Sequence, residues 1–277
     1  MNMDKTIDYL AKLSSQKAQP DDYMQDGLLY CGKCHTPKQC RVTVCGHSKV
    51  VGCLCSCQSD AYNEQIRKEQ EEKKRIYIDG LRAQGIQEKA LRKISFADAE
   101  QSIQPDNIAR CKAYAERFPE MLENNNGLIF WGNFGTGKTF AASCIANALI
   151  EKGIPVMVTS FPKILNAGFD ERADIIRQMK EFDLLVIDDL GAERQNQFSM
   201  ETVYMIVDER YKTQKPMIVT TNLKMEELRN PANMDYGRIY SRILEMCVPM
   251  LFDGPSLRKK KGDEKLQFAK KILGGKT

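Results

Sequence analysis

No run of 18 or more apolar residues occurs in this 277-residue chain, which excludes a helix crossing a membrane. Met1 to Lys17 is polar and lacks the apolar core of a signal peptide, so a cytoplasmic protein is expected. Charge of one sign is not in excess. Against 41 Lys and Arg stand 37 Asp and Glu, a net +4 that permits nucleic-acid contact without requiring it. No internal repeat is present, and histidine is nearly missing, with only His35 and His47. Cysteine is the exception. Of ten, seven lie between Cys31 and Cys57, and in a reducing compartment such a cluster reads as metal binding. Cys111, Cys144 and Cys247 are scattered and read as ordinary core residues. A hydrophobic content of 42% suffices for one good core and a smaller appendage.

The most informative stretch is Gly132-Asn133-Phe134-Gly135-Thr136-Gly137-Lys138-Thr139. Its spacing is that of a phosphate-binding loop, G-x-x-x-x-G-K-[ST]. The glycines let the backbone wrap a phosphate with amide N–H groups pointing inward. Lys138 then reaches the β- and γ-phosphates, and Thr139 offers a hydroxyl to Mg²⁺. Gly127–Trp131 reads as a buried strand before the loop and Phe140–Lys152 as a helix after it, stopped by Gly153. Strand, loop and helix in that order are the context the motif requires, and ATP is the expected ligand.

Two more strands end in polar residues. Asp183 to Gly191 contains the apolar run Leu184-Leu185-Val186-Ile187, then Asp188 and Asp189. It reads as a strand covered on both faces, with the acids at the carboxyl end, where open α/β sheets bind ligands. Asp188 is expected to hold Mg²⁺, mostly through water, and Asp189 to orient or deprotonate the attacking water. Pro216 to Asn222 is a further strand, which leaves Asn222 placed to contact the γ-phosphate or that water; its plainer role is a cap for a helix starting near Met225. Pro155–Thr159 and Val248–Phe252 complete an α/β core with a parallel sheet flanked by helices. The remaining helices are read at Ile108–Leu122, Phe161–Lys180 with a break near Gly168, Phe198–Thr213, and Gly237–Cys247. The last carries Arg238 and Arg242 on one face.

Ahead of this core, residues 1 to about 27 read as one or two short helices, with Ile7, Leu10 and Leu13 on one face and a polar loop through Gln19–Asp22. Cys31-Gly32-Lys33-Cys34 is a C-x-x-C knuckle, and Cys53-Leu54-Cys55-Ser56-Cys57 returns after a hairpin of Arg41–Val44 and Lys49–Val51, with Gly46-His47 near the turn. This is a small zinc-ribbon-like module, held by metal in place of a core. Cys31 and Cys34 are the first ligand pair. Cys55 and Cys57 are preferred for the second, with Cys53 as the alternative; Cys40 and Cys45 are bystanders, and reduced thiols or an iron–sulfur cluster are the competing readings. Asp60–Lys93 is a mixed-charge helical stretch interrupted at Gly80 and Gly85. Ser256–Thr277 is basic, with Lys259, Lys260 and Lys261 together: a solvated run, or a contact for DNA or a partner.

With Val-Ile-Asp-Asp-Leu-Gly, Val-Thr-Thr-Asn and Arg-Ile-Tyr-Ser-Arg-Ile beside the phosphate loop, the chain resembles the DnaC/DnaI/IstB group of AAA+ ATPases, bacterial and phage helicase loaders in particular. The resemblance covers residues from about 94 to 258, and the cysteine-rich segment looks like that of loaders whose zinc module contacts the replicative helicase. It implies Walker A at Lys138 and Thr139, Walker B at Asp188 and Asp189, and sensor 1 at Asn222. Arg242 looks like an arginine finger reaching a neighbour's γ-phosphate, with Arg238 the runner-up, and Ser256-Leu257-Arg258 stands near sensor 2. Many AAA+ proteins carry Glu where this chain has Asp189, and the shorter reach implies slow hydrolysis.

The resulting expectation is a helicase-interaction module at 1–60, a charged helical linker at 61–93, an AAA+ core at 94–258 and a basic tail at 259–277. The partners implied are a hexameric replicative helicase, single-stranded DNA and further copies of the chain through the ATP site, with no membrane. The alternatives are a transposition helper ATPase of the IstB type, an ATP-binding DNA switch with little hydrolysis, and a zinc adaptor whose ATPase core is only scaffold.

Overall fold

Strict alternation along the core strands sorts their side chains into two separate hydrophobic layers. Leu128 and Phe130, Leu184 and Val186, Val156 and Val158, and Ile218 face one layer. Ile129, Leu185 and Ile187, Met157, and Met217 and Val219 face the other. Such period-two burial on both faces requires a sheet covered by helices on each side. The computed structural model has that architecture, and it describes residues 18–44, 47–99, 104–192 and 197–273. The chain divides into two compact units with the boundary between Ile76 and Tyr77.

In the first unit, β1 (Tyr23–Gln25) and β2 (Leu28–Tyr30) form a tight hairpin. Asp26 and Gly27 both have positive φ, 52° and 71°, the signature of a type I′ turn. This is a correction: short helices were expected up to about residue 27, whereas residues 23–30 are a hairpin set by its Asp-Gly turn. A second antiparallel pair, β3 (Gln39–Val44) and β4 (His47–Gly52), matches the hairpin expected there. The proposed face at Ile7, Leu10 and Leu13, and the Cys45-Gly46 segment, lie outside the described residues. Helix α1 (Ser56–Gly85) starts in this unit and ends in the second. It passes through Gly80 without interruption, also contrary to expectation, because a solvent-facing glycine costs a helix only about 1 kcal/mol. Gly85 does end it: a Cβ there would lie 1.9 Å from the Val156 carbonyl oxygen. The mixed charges expected there lie on a solvated face, with exposed pairs Glu64–Arg67 and Glu72–Arg75 along it.

The second unit is built on a five-stranded parallel sheet. Its strands are β5 (Gly127–Trp131), β6 (Val156–Ser160), β7 (Leu184–Leu190), β8 (Met217–Thr221) and β9 (Cys247–Leu251), in the order β6-β7-β8-β5-β9. The strand β8 therefore lies between the one leading to the glycine-rich loop and the one ending in the paired acids. Helices α2 (Pro105–Glu116) and α3 (Phe118–Glu123) replace the single helix expected over 108–122. The break follows from Pro119, whose ring is incompatible with the carbonyl of Ala115; that carbonyl accepts from the Lys152 ammonium instead, at 2.7 Å. Helix α4 (Lys138–Glu151) is almost wholly buried, and its alanines allow close approach to the sheet. The break expected near Gly168 separates α5 (Phe161–Asn166) from α6 (Phe169–Gln178).

Helices α7 (Gln197–Thr213), α8 (Met225–Arg229) and α9 (Met234–Met246) complete the second layer. The basic C-terminal segment is helical, α10 (Leu257–Leu273). Ile78, Leu81 and Ile86 are buried in the first layer, so residues just before 94 pack with this unit. Among the described residues no helix is long and apolar enough to cross a membrane.

Candidate functional site: a phosphate-loop cavity and a four-cysteine cluster

The glycine-rich loop runs from the end of β5 into the first turn of α4. Gly132, Gly135 and Gly137 all have positive φ. At Gly135 a side chain is also excluded by space: a Cβ would lie 2.2 Å from the Ser256 hydroxyl. The segment leading into α10 and the first residue of that helix are strapped over the loop, with the Leu257 N–H donating to the Gly135 carbonyl at 2.9 Å and the Asn133 amide to Asp253 at 3.1 Å. Phe134 projects into solvent at 71% exposure.

Lys138 is buried and folds back over the loop. Its ammonium donates to the carbonyls of Gly132 at 2.8 Å and Asn133 at 2.7 Å, and to the Asn222 side-chain oxygen at 2.8 Å. Burial pushes its pKa down, while Asp188 and Asp189 pull it back up. The Thr139 hydroxyl donates to both Asp188 oxygens, at 2.9 and 3.0 Å. Burial pushes the Asp188 carboxyl up, opposed by the Thr220 and Thr139 hydroxyls. A half-buried carboxylate beside a hydroxyl is a hard-oxygen donor set, and it fits Mg²⁺ better than a soft metal.

Lys138, Thr139 and Asn222 open on one cavity of about 600 Å³. Its lining mixes polar groups, among them Lys138, Thr139, Asp189, Asn222 and Arg258, with apolar side chains such as Leu91, Ile94, Ile108 and Leu257, a combination that suits phosphates and a nucleobase. A smaller cavity of about 210 Å³ lies against Asp188, Thr139 and Ser160, and Glu88 lines it. Sequence reading assigned Glu88 nothing, since no motif marks a residue that arrives from the turn ahead of the core. It also gave Thr220 no role, although Thr220 stands inside the Val-Thr-Thr-Asn stretch.

Arg242 does not reach this cavity. Its guanidinium donates to Asp208 at 2.5 Å and lies over the rings of Tyr204 and Tyr211, 5.0 and 5.3 Å from their centroids. Arg238, one turn earlier on α9, is exposed.

In the first unit the sulfurs of Cys31, Cys34, Cys55 and Cys57 all lie within 4.8 Å of one another. Cys31–Cys57 and Cys55–Cys57 are 3.6 and 3.3 Å apart. Tetrahedral zinc at about 2.3 Å per bond spaces its sulfurs by about 3.8 Å, so the set fits zinc. The Thr36 hydroxyl holds the Cys34 thiol down at about 5, while the neighbouring Cys55 and Cys31 thiols push Cys57 up to about 12. Four thiolates crowded together ionise fully only beside a cation. Cys53 points elsewhere, its thiol donating to the Pro37 carbonyl at 3.5 Å. The buried pair Lys38–Asp22 at 2.5 Å lies nearby, and Asp22 also accepts from the Gly32 amide of the knuckle, at 3.3 Å.

The family model for the IstB-like ATP binding protein matches residues 66–265. The chain belongs to that family. The replicative helicase loader DnaC of Escherichia coli (strain K12) is 29% identical over 132 residues, covering 45% of this chain and 53% of that one. The replicative helicase loader DnaI of Bacillus subtilis (strain 168) is 28% identical over 147 residues, covering 48% and 47%. The chain thus spans about half the length of the curated relatives it matches. A crystal structure of the DnaC helicase loader superposes with a TM-score of 0.51 at 24% identity, over 60% of this chain and 100% of that one, and shares the AAA+ P-loop fold.

Proposed function

We propose that this chain is an ATP-dependent loader that binds the hexameric replicative helicase and delivers it onto single-stranded DNA in the cytoplasm. The observation that carries the ATP part is the convergence of Lys138, Thr139, Asp189 and Asn222, from three different strand ends, on one cavity that apolar side chains also line. The loader part rests on relatives that are named replicative helicase loaders.

In this reading Lys138 leaves the Gly132 and Asn133 carbonyls to hold the β- and γ-phosphates. Thr139 and Asp188 would hold Mg²⁺, which would neutralise phosphate charge. Asp189 and Asn222 position the attacking water at the γ-phosphate. Arg242, or else Arg238, of one copy grips the γ-phosphate bound by another, so hydrolysis loosens the assembly. The chain is then a slow ATPase alone, faster with DNA or on oligomerisation. The first unit, with zinc on Cys31, Cys34, Cys55 and Cys57, carries the helicase contact.

ATP turnover measured with and without single-stranded DNA tests the enzyme reading. Asp189→Asn should abolish turnover and stall loading. If it loads helicase normally, the chain is a binding switch and not an ATPase-driven loader. The family match keeps a second reading, a transposition helper of the IstB type, which predicts a transposase partner and no helicase complex.

A further inference from the structure

The strand β7 carries one residue more than its neighbour β8 at the site. Ile187 pairs with Val219, but the next pair is Leu190 with Thr221. The surplus falls at Asp188 and Asp189, which oppose Thr220 alone. Asp189 takes φ +60°, a left-handed conformation that aspartate adopts more readily than most residues. A bulge of this kind removes a ladder partner and re-aims side chains. The Asp189 N–H finds a substitute acceptor in the Thr220 hydroxyl, at 3.0 Å. That same hydroxyl donates its one proton to the Asp188 Oδ1. It is 1% exposed, so water offers no alternative partner.

The hydroxyl is thus polarised in one direction, accepting from one acid's backbone and donating to the other acid's carboxylate. The adjacent Thr221 hydroxyl donates to the Leu190 carbonyl at 2.7 Å and closes the far end of the bulge. Thr139 donates to both oxygens of the same carboxylate, so Asp188 accepts from hydroxyls of β8 and α4 together.

We propose that Thr220 is a positioning residue for both acids: it fixes the Asp188 carboxylate toward the divalent cation and holds the bulge that aims Asp189 into the nucleotide cavity. This rests on the ATPase reading. Thr220 lines neither cavity; it acts through its two neighbours on β7.

The test compares Thr220→Val, nearly isosteric but without either bond, with Thr220→Ser, which keeps both. Two readouts are taken on the full chain: ATP turnover, and the Mg²⁺ concentration that half-saturates binding of a fluorescent ATP analogue. The valine variant should turn over about tenfold more slowly, with KM for ATP within about threefold. Its half-saturating Mg²⁺ should rise several-fold, and the serine variant should recover both readouts. Native turnover and native Mg²⁺ dependence in the valine variant would overturn the proposal. So would a serine variant as impaired as the valine one, since the hydroxyl would then not be the operative group. If the native chain binds the analogue but does not turn over ATP, the ATPase reading falls while the Mg²⁺ readout still decides the role of Thr220.

Discussion

Arg242 is paired within its own chain, its guanidinium bonded to Asp208 across the contact between α9 and α7. A residue acting on a neighbouring copy must leave this partner and the two tyrosine rings beside it. In the proposed assembly this pair would be a local competitor, and loosening it should favour association. Arg242→Ala is expected to lower turnover at least tenfold while nucleotide affinity changes less than threefold. Abolished binding with unchanged turnover per bound nucleotide would remove the finger assignment, and a matching loss in Arg238→Ala instead would move it one turn along α9.

The same pair has a pH signature. Lys212 and Arg242 hold the Asp208 carboxyl below its ordinary 3.8. A lowered acid contributes stability that is complete above 3.8 and is lost as pH falls through the folded value. Thermal melts of native and Asp208→Asn chains should differ above pH 4 and converge below it. A constant difference across that range contradicts the pairing.

Removing the Lys138 ammonium should cost nucleotide binding, not the fold. Its three acceptors are the carbonyls of half-buried Gly132 and exposed Asn133, and the side chain of Asn222, which lines the cavity. Lys138→Ala is expected to weaken ATP binding roughly tenfold to a hundredfold, the range of a lost charged hydrogen bond, with the melting temperature little changed. Equilibrium binding and a thermal melt check both halves.

Zinc content separates the four clustered cysteines from the others. Native protein should carry about one zinc per chain, and Cys31→Ser or Cys57→Ser should lose it. Cys53→Ser and Cys40→Ser should keep it. A chelator should unfold the first unit and leave ATP binding by the second intact. Metal analysis showing loss in Cys53→Ser would place the fourth ligand there.

Arg210 anchors the start of β7 and β8 on the face away from the cavity. It is 2% exposed and donates to the carbonyls of Met179, Phe182, Asp183 and Pro216. Burial lowers its pKa to about 10, still charged at neutral pH. Arg210→Ala strands several buried carbonyls and should cost about 3 kcal/mol or more in urea unfolding.

What could be read from the sequence had local causes. The loop from Gly132 to Thr139 has a spacing fixed by phosphate geometry, and Leu184–Ile187 followed by two acids is legible because a doubly covered strand must be apolar and its end need not be. The C-x-x-C knuckle is legible for the same local reason. What was missed depends on distant partners. Gly80 reads as a breaker until its surroundings are known to be open, and the 108–122 segment reads as one helix unless Pro119 is weighed against its apolar periodicity. The hairpin at Asp26-Gly27 did carry a turn signal, outweighed by helical spacing upstream. Nothing in the order of residues tells that Asp208 meets Arg242, that Arg210 gathers four carbonyls, or that Thr220 serves both acids.

The central claim is tested most directly by co-elution of the full chain with the replicative helicase of its source cell, with and without ATP. The comparison is a chain beginning at Tyr77, because Ile78, Leu81 and Ile86 belong to the core. The account predicts a complex with the full chain that is lost when residues 1–76 are removed. No complex with either chain, or an equally stable complex without residues 1–76, would contradict it.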